Sequence, residues 1–142
     1  MASVAWPVPK SRDVAGSFYH RMAGACLAVA FLGFTPSYFV PLVRGDASWP
    51  LVVHVHGLLF FAWVLFFWWQ TRLIVNRQRR RHRAWGFVGL VLATVMVCAA
   101  VAVVATRTAA QQAAGFAVEG RTFAWIGISD LLLFAGILAV AV

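Results

Sequence analysis

The sequence predicts an all-α fold, a four-transmembrane-helix bundle, and three observations carry that prediction. Of the 142 residues 63% are hydrophobic and only 11% are charged, with a mean hydropathy of +0.84, so there are too few charges to surround a soluble core. Four apolar stretches, at about 22–43, 51–75, 84–106 and 122–142, each reach the ~20 residues that a helix needs to cross the ~30 Å hydrocarbon layer. The basic residues gather between these stretches and do so unevenly, as the loops of a multi-pass membrane protein do.

Residues 1–21 form a polar, proline-containing N-terminal lead with Lys10, Arg12 and Asp13. The apolar run that follows continues through Phe31, Phe34, Tyr38 and Phe39 to Val43, too far for a cleaved secretory signal, so it reads as a retained first span. Pro36 and Pro41 lie in its last third, where each removes a backbone donor and predicts a kink or an end. Arg44 to Pro50 is a short turn with Trp49 at interfacial depth.

The second span, Leu51 to Val75, is the one the others are expected to cover. It carries His54, His56 and Gln70 in an otherwise apolar run, and His56, Trp63 and Gln70 recur at heptad spacing on one face. Residues 76–83, NRQRRRHR, are the densest charge run in the chain. The third span is rich in small residues, and Gly86, Ala93 and Ala100 at heptad spacing predict a close helix contact. A polar and alanine-rich connector, 107–121, leads to the fourth span. That span is still apolar at Val142, with no basic or aromatic anchor after Leu138, so the sequence reads as a fragment of a longer multi-pass protein.

Lys10, Arg12, Arg21, Arg72, Arg77, Arg79, Arg80, Arg81 and Arg83 fall on one side of the spans, and Arg44, Arg107 and Arg121 on the other. The positive-inside rule therefore puts the N-terminus in the cytoplasm, and alanine-, valine- and arginine-rich usage points to a bacterial inner membrane. A formal net charge of +8 would suit nucleic acid, but half of the basic residues lie between Arg72 and Arg83, beside apolar spans. Topology and anionic-lipid contact is the reading for such a cluster, so the lipid bilayer, and further helices or subunits, are the expected partners and nucleic acid is not. Cys26 and Cys98 fall in different halves of the bilayer, too far apart for a disulfide, and read as buried apolar thiols.

Depth sorts the polar residues into two layers. At ~1.5 Å per residue His56 lies ~8 Å below the outer end of the second span and Asp130 ~12 Å below that of the fourth, so they share a half of the bilayer. Thr35 and Tyr38 join them, which gives an outer candidate cluster of His54, His56, Asp130, Thr35 and Tyr38. His54 and His56 point ~200° apart and cannot both face one ligand. On the cytoplasmic side His20, Gln70, His82 and Arg83 form the second cluster. Asp130 is the sharpest signal, because a lone carboxylate in a helix centre must pair, face water or give up its charge.

The segments Gly33-Phe34-Thr35 with Tyr38, His54-Val55-His56-Gly57, Ala62-Trp63, Gln70, Leu73 and His82-Arg83-x-x-Gly86 resemble a group of uncharacterised bacterial multi-pass membrane proteins. The resemblance covers little over a third of the chain and implies a longer helical protein with no assigned reaction. The His-Arg-x-x-Gly element after a His-bearing span is also similar to membrane proteins likened to dihaem four-helix cytochromes b. Those have a His pair in each leaflet, whereas the fourth span here has no His.

No catalytic residue and no soluble catalytic domain are apparent. The leading expectation is a structural or accessory membrane module whose polar residues lock helices together. One alternative is a b-type haem or quinone-linked electron-transfer protein, with His20, His54, His56 or His82 as haem ligands; no cofactor is predicted outright. The other is a small proton or ion transport unit centred on His56 and Asp130.

Overall fold

The computed structural model describes residues 11–46 and 48–141, with side chains from 17 onward and up to 140. Among them every regular element is helical: α1 (Ser11–Phe34), a π-helical turn (Thr35–Phe39), α2 (Val40–Arg44), α3 (Leu51–Val75), α4 (Arg79–Ala113) and α5 (Ala117–Ala141). Four stretches, Ser17–Arg44, Leu51–Val75, Arg79–Ala113 and Ala117–Val140, are long and apolar enough to cross a membrane. The chain is thus the all-α, four-span membrane protein that its composition predicts.

The first span bends its hydrogen-bond ladder where the prolines require it. Pro36 has no N–H to offer, and the ladder slips by one residue, so that the Val40 N–H reaches the Thr35 carbonyl five residues back. The helix stops at Gly45, whose φ of 79° lets the Gly45 and Asp46 N–H groups turn back onto Leu42 and Pro41. At the far end of α3 the same motif is built on a side chain that tolerates it less well. Arg77, at φ 59°, bonds Ile74, and Gln78 bonds Leu73.

The bounds of α3 are those the sequence predicts. α4 is longer than its predicted 84–106 at both ends, because Arg79–Arg83 and Arg107–Ala113 are polar but strong helix formers. Its 35 residues span about 50 Å, more than the ~30 Å hydrocarbon layer.

The described chain divides into two compact units, Met1–Asp46 with Val64–Gly86, and Ala47–Trp63 with Phe87–Val142. The first is packed around Ala23, Gln70 and Leu73, with Gly24 giving the Trp68 indole room to approach. In the second, Ala93 and Met96 are buried, and a Cβ placed on Gly127 would lie 2.6 Å from Val104. The large apolar side chains point outward instead: Leu32, Leu58, Trp125 and Leu132 are each at least 70% exposed. Such a surface is stable only against lipid or another apolar partner.

Candidate functional site

Within the first unit, two histidines are tied to neighbouring residues of α3. His82, near the start of α4, donates from Nδ1 to Oε1 of Gln70 over 2.6 Å. Gln70 is a buried polar residue, 7% exposed, and its Nε2 has no hydrogen-bond partner among the described residues. His20 of α1 lies 3.0 Å from the Thr71 hydroxyl, which spends its only proton on the Trp68 carbonyl at 2.7 Å. Thr71 must therefore accept, and His20 also donates from Nδ1. The His20 ring stacks on Trp68, with centroids 5.2 Å apart and planes 24° from parallel. Three of the four residues of the second predicted cluster are thus engaged in two pairs of contacts, α3 with α4 and α1 with α3. Arg83 is exposed.

The residues of the other predicted cluster are distributed differently. Thr35 belongs to the first unit and its hydroxyl bonds the Phe31 carbonyl of its own helix at 2.7 Å. Tyr38 packs edge-on against Phe39. In the second unit, His54 packs near Trp49, and His56 is half-buried. The His56 ring interacts with the backbone of Met96 on α4, while its Nδ1 is buried with no hydrogen-bond partner among the described residues.

Asp130 lies on the exposed side of α5 and makes no hydrogen bond or ion pair among the described residues. The structure therefore does not join Asp130 to His56. The two share a unit and are not bonded to one another.

The reason lies in which face of α5 turns inward. Gly120 approaches Gln111 and the Thr108 carbonyl, Gly127 abuts Val104, and Phe134 meets Trp63 edge-on at 5.6 Å. These three residues stand seven apart, so they form one stripe, and Asp130, three residues after Gly127, is rotated about 60° off it. That glycine–glycine–phenylalanine heptad was readable in the sequence and would have placed the acid outside the contact. Thr71 and Trp68, the partners of His20, carried no comparable signal beyond adjacency to Gln70.

Among the described residues no group of three or more His, Cys, Asp and Glu is arranged to hold a metal ion. Cys26 and Cys98 are both free, and both are exposed where burial is the expectation for apolar thiols. A groove of about 460 Å³ in the second unit is lined by Leu90, Val97, Cys98, Ala135 and Leu138, an apolar set in which the Thr94 hydroxyl is already spent on the Leu90 carbonyl. No family model, curated protein or solved structure matches this chain.

Proposed function

We propose that the chain is a structural or accessory module of the bacterial inner membrane, with its N-terminus in the cytoplasm, whose polar interhelical contacts fix the register of its own helices. The observation that carries this reading is the Gln70–His82 hydrogen bond. The oxygen of a buried amide accepts from an imidazole of the next helix over 2.6 Å, beside a second polar contact of the same kind at His20 and Thr71. Interhelical hydrogen bonds of this sort act as glue where lipid provides no hydrophobic drive. The orientation rests on the excess of basic residues in the lead and in the 76–83 segment.

A double-mutant cycle tests it. Gln70→Leu and His82→Phe each leave one polar partner stranded and should lower the unfolding free energy of the solubilised chain by about 1–3 kcal/mol. The double variant should recover part of that loss, with a coupling of at least ~0.5 kcal/mol. Additive losses would mean that the pair does not act as a clamp.

One observation favours a second reading, a b-type haem protein. Both His20 and His82 donate through Nδ1 to a side-chain oxygen, which leaves Nε2 as the lone-pair nitrogen, the arrangement that orients ligating histidines. A haem held there would supply reversible one-electron transfer. The role of these residues would be to fix ring orientation, Thr71 for His20 and Gln70 for His82. Haem-supplemented protein should then show a Soret band that shifts on reduction and is lost in His20→Ala and His82→Ala. A colourless preparation removes this reading and leaves the first intact.

A further inference from the structure

The α5 helix carries a mid-span carboxyl group that is exposed and has no partner among the described residues. Asp130 sits near the middle of the span Ala117–Val140, about 2 Å from its centre by helical rise. It is exposed, it has no hydrogen-bond or ion-pair partner among the described residues, and the stripe around it is apolar. Ile126, Leu133 and Ile137, at four residues before and three and seven after, share its face and are 57%, 65% and 63% exposed. An uncompensated carboxylate facing hydrocarbon is among the costliest arrangements a membrane helix can adopt, and charged groups at that depth pair with another group or line a wet cavity.

We infer that this face of α5, Ile126, Asp130, Leu133 and Ile137, is a docking surface for a transmembrane helix of another polypeptide that carries a lysine or arginine at the middle of its span. Charge complementarity selects the occupant. A cation at matching depth neutralises Asp130, and the flanking isoleucines and leucine pack on the partner's apolar side chains. A second copy of this chain does not supply that cation. Its basic residues lie in the lead, in the connectors or within the end turns of the helices: Arg72 and Arg79 to Arg83 at the α3–α4 junction, Arg107 near the end of α4 and Arg121 in the first turns of α5. The imidazole nearest mid-span, His56, is five residues from the start of α3 and turned to the Met96 backbone. The groove lined by Leu90, Cys98 and Leu138 offers no such selection, since nothing charged lines it.

The inference deepens the accessory-module reading by naming a partner chemistry, and it rests on that reading. The two fail separately: loss of coupling between Gln70 and His82 would overturn the clamp, whereas the experiment below reads association alone. The full chain, fluorescently labelled, is reconstituted into phosphatidylcholine vesicles with a synthetic polyleucine helix bearing one central lysine, or with its all-leucine counterpart. Energy transfer should report at least tenfold tighter association of the lysine peptide. Asp130→Leu should reduce it to the all-leucine level, and Glu119→Gln, at the end of the helix, should leave it unchanged. Because Asp130 is exposed and makes no hydrogen bond or ion pair among the described residues, Asp130→Leu should keep the parent's melting temperature, which separates loss of docking from loss of folding. Equal association of the two peptides would overturn the proposal. So would self-association of the chain that is abolished by Asp130→Leu, since it would assign the face to a second copy sharing a proton between two carboxyl groups.

Discussion

Gln70 and Asp130 are both polar residues set into apolar spans, and they are resolved in opposite ways. Gln70 is turned into its unit, buried to 7% exposure and bonded to His82. Asp130 stands on the open side of α5 with no bond or ion pair among the described residues. The difference teaches that a polar group in a span is not automatically internal glue. One has been absorbed into the contacts of this chain, and the other is an unmet requirement directed outward.

The largest expected effect comes from removing the outward charge. Asp130→Leu should favour membrane insertion of the fourth span by about 3 kcal/mol in a translocon insertion assay, the cost of a mid-span carboxylate on that scale. The purified variant should be at least as stable to heat as the parent. A clear fall in melting temperature would mean that the acid is held internally, and the contrast with Gln70 would disappear. Gln70→Leu should act in the opposite direction. It strands the His82 Nδ1–H, lowering stability by about 1–3 kcal/mol in denaturant titrations, and a stability gain would place both residues in one class.

The two faces of α5 can be compared without touching a charge. A methyl group on Gly127 meets Val104 at 2.6 Å, and a β-branched side chain in a helix has little rotamer freedom to withdraw, so Gly127→Ala should cost about 1–2 kcal/mol. Gly136 has nothing within 4 Å, and Gly136→Ala should be neutral or gain up to about 1 kcal/mol of helix propensity in the same titration. Equal effects at the two glycines would show that α5 is not turned as described. In the first unit Thr71→Val removes the acceptor of a half-buried imidazole and should cost about 0.5–1.5 kcal/mol. Loss of the His20 ring's ordered NMR signal would accompany it.

The spans were legible because length and apolar content alone define them, and α3 begins and ends where its hydropathy does. The limits of α4 were not, since Arg79–Arg83 and the Arg107–Ala113 turns continue a helix on backbone propensity after hydropathy has ended. Depth along a helix was readable for every polar residue, because rise per residue is nearly constant. Direction around the helix was harder, because it depends on which neighbour the backbone approaches most closely. For Gln70 the heptad with His56 and Trp63 pointed inward, and Gln70 is buried. For Asp130 a place in the same half of the bilayer as His56 suggested a pair, while the glycines at 120 and 127 were already turning that acid away. The π-helical turn followed from Pro36 in position though not in form: a missing donor predicts a break, and whether the ladder kinks or slips depends on the packing around it.

The link between α3 and α4 is only residues 76–78, and it turns on Arg77 in a backbone conformation that glycine would adopt more easily. Its tightness means that the amide at 70 and the imidazole at 82 are separated by few residues along the chain, so the entropic penalty of bringing them together is small. The two can meet as soon as both have left the ribosome, with no need for α5 to exist. Such a hairpin would enter the bilayer with its Gln70–His82 contact already made, early in biosynthesis, whereas the acid at 130 enters later and waits for a neighbour.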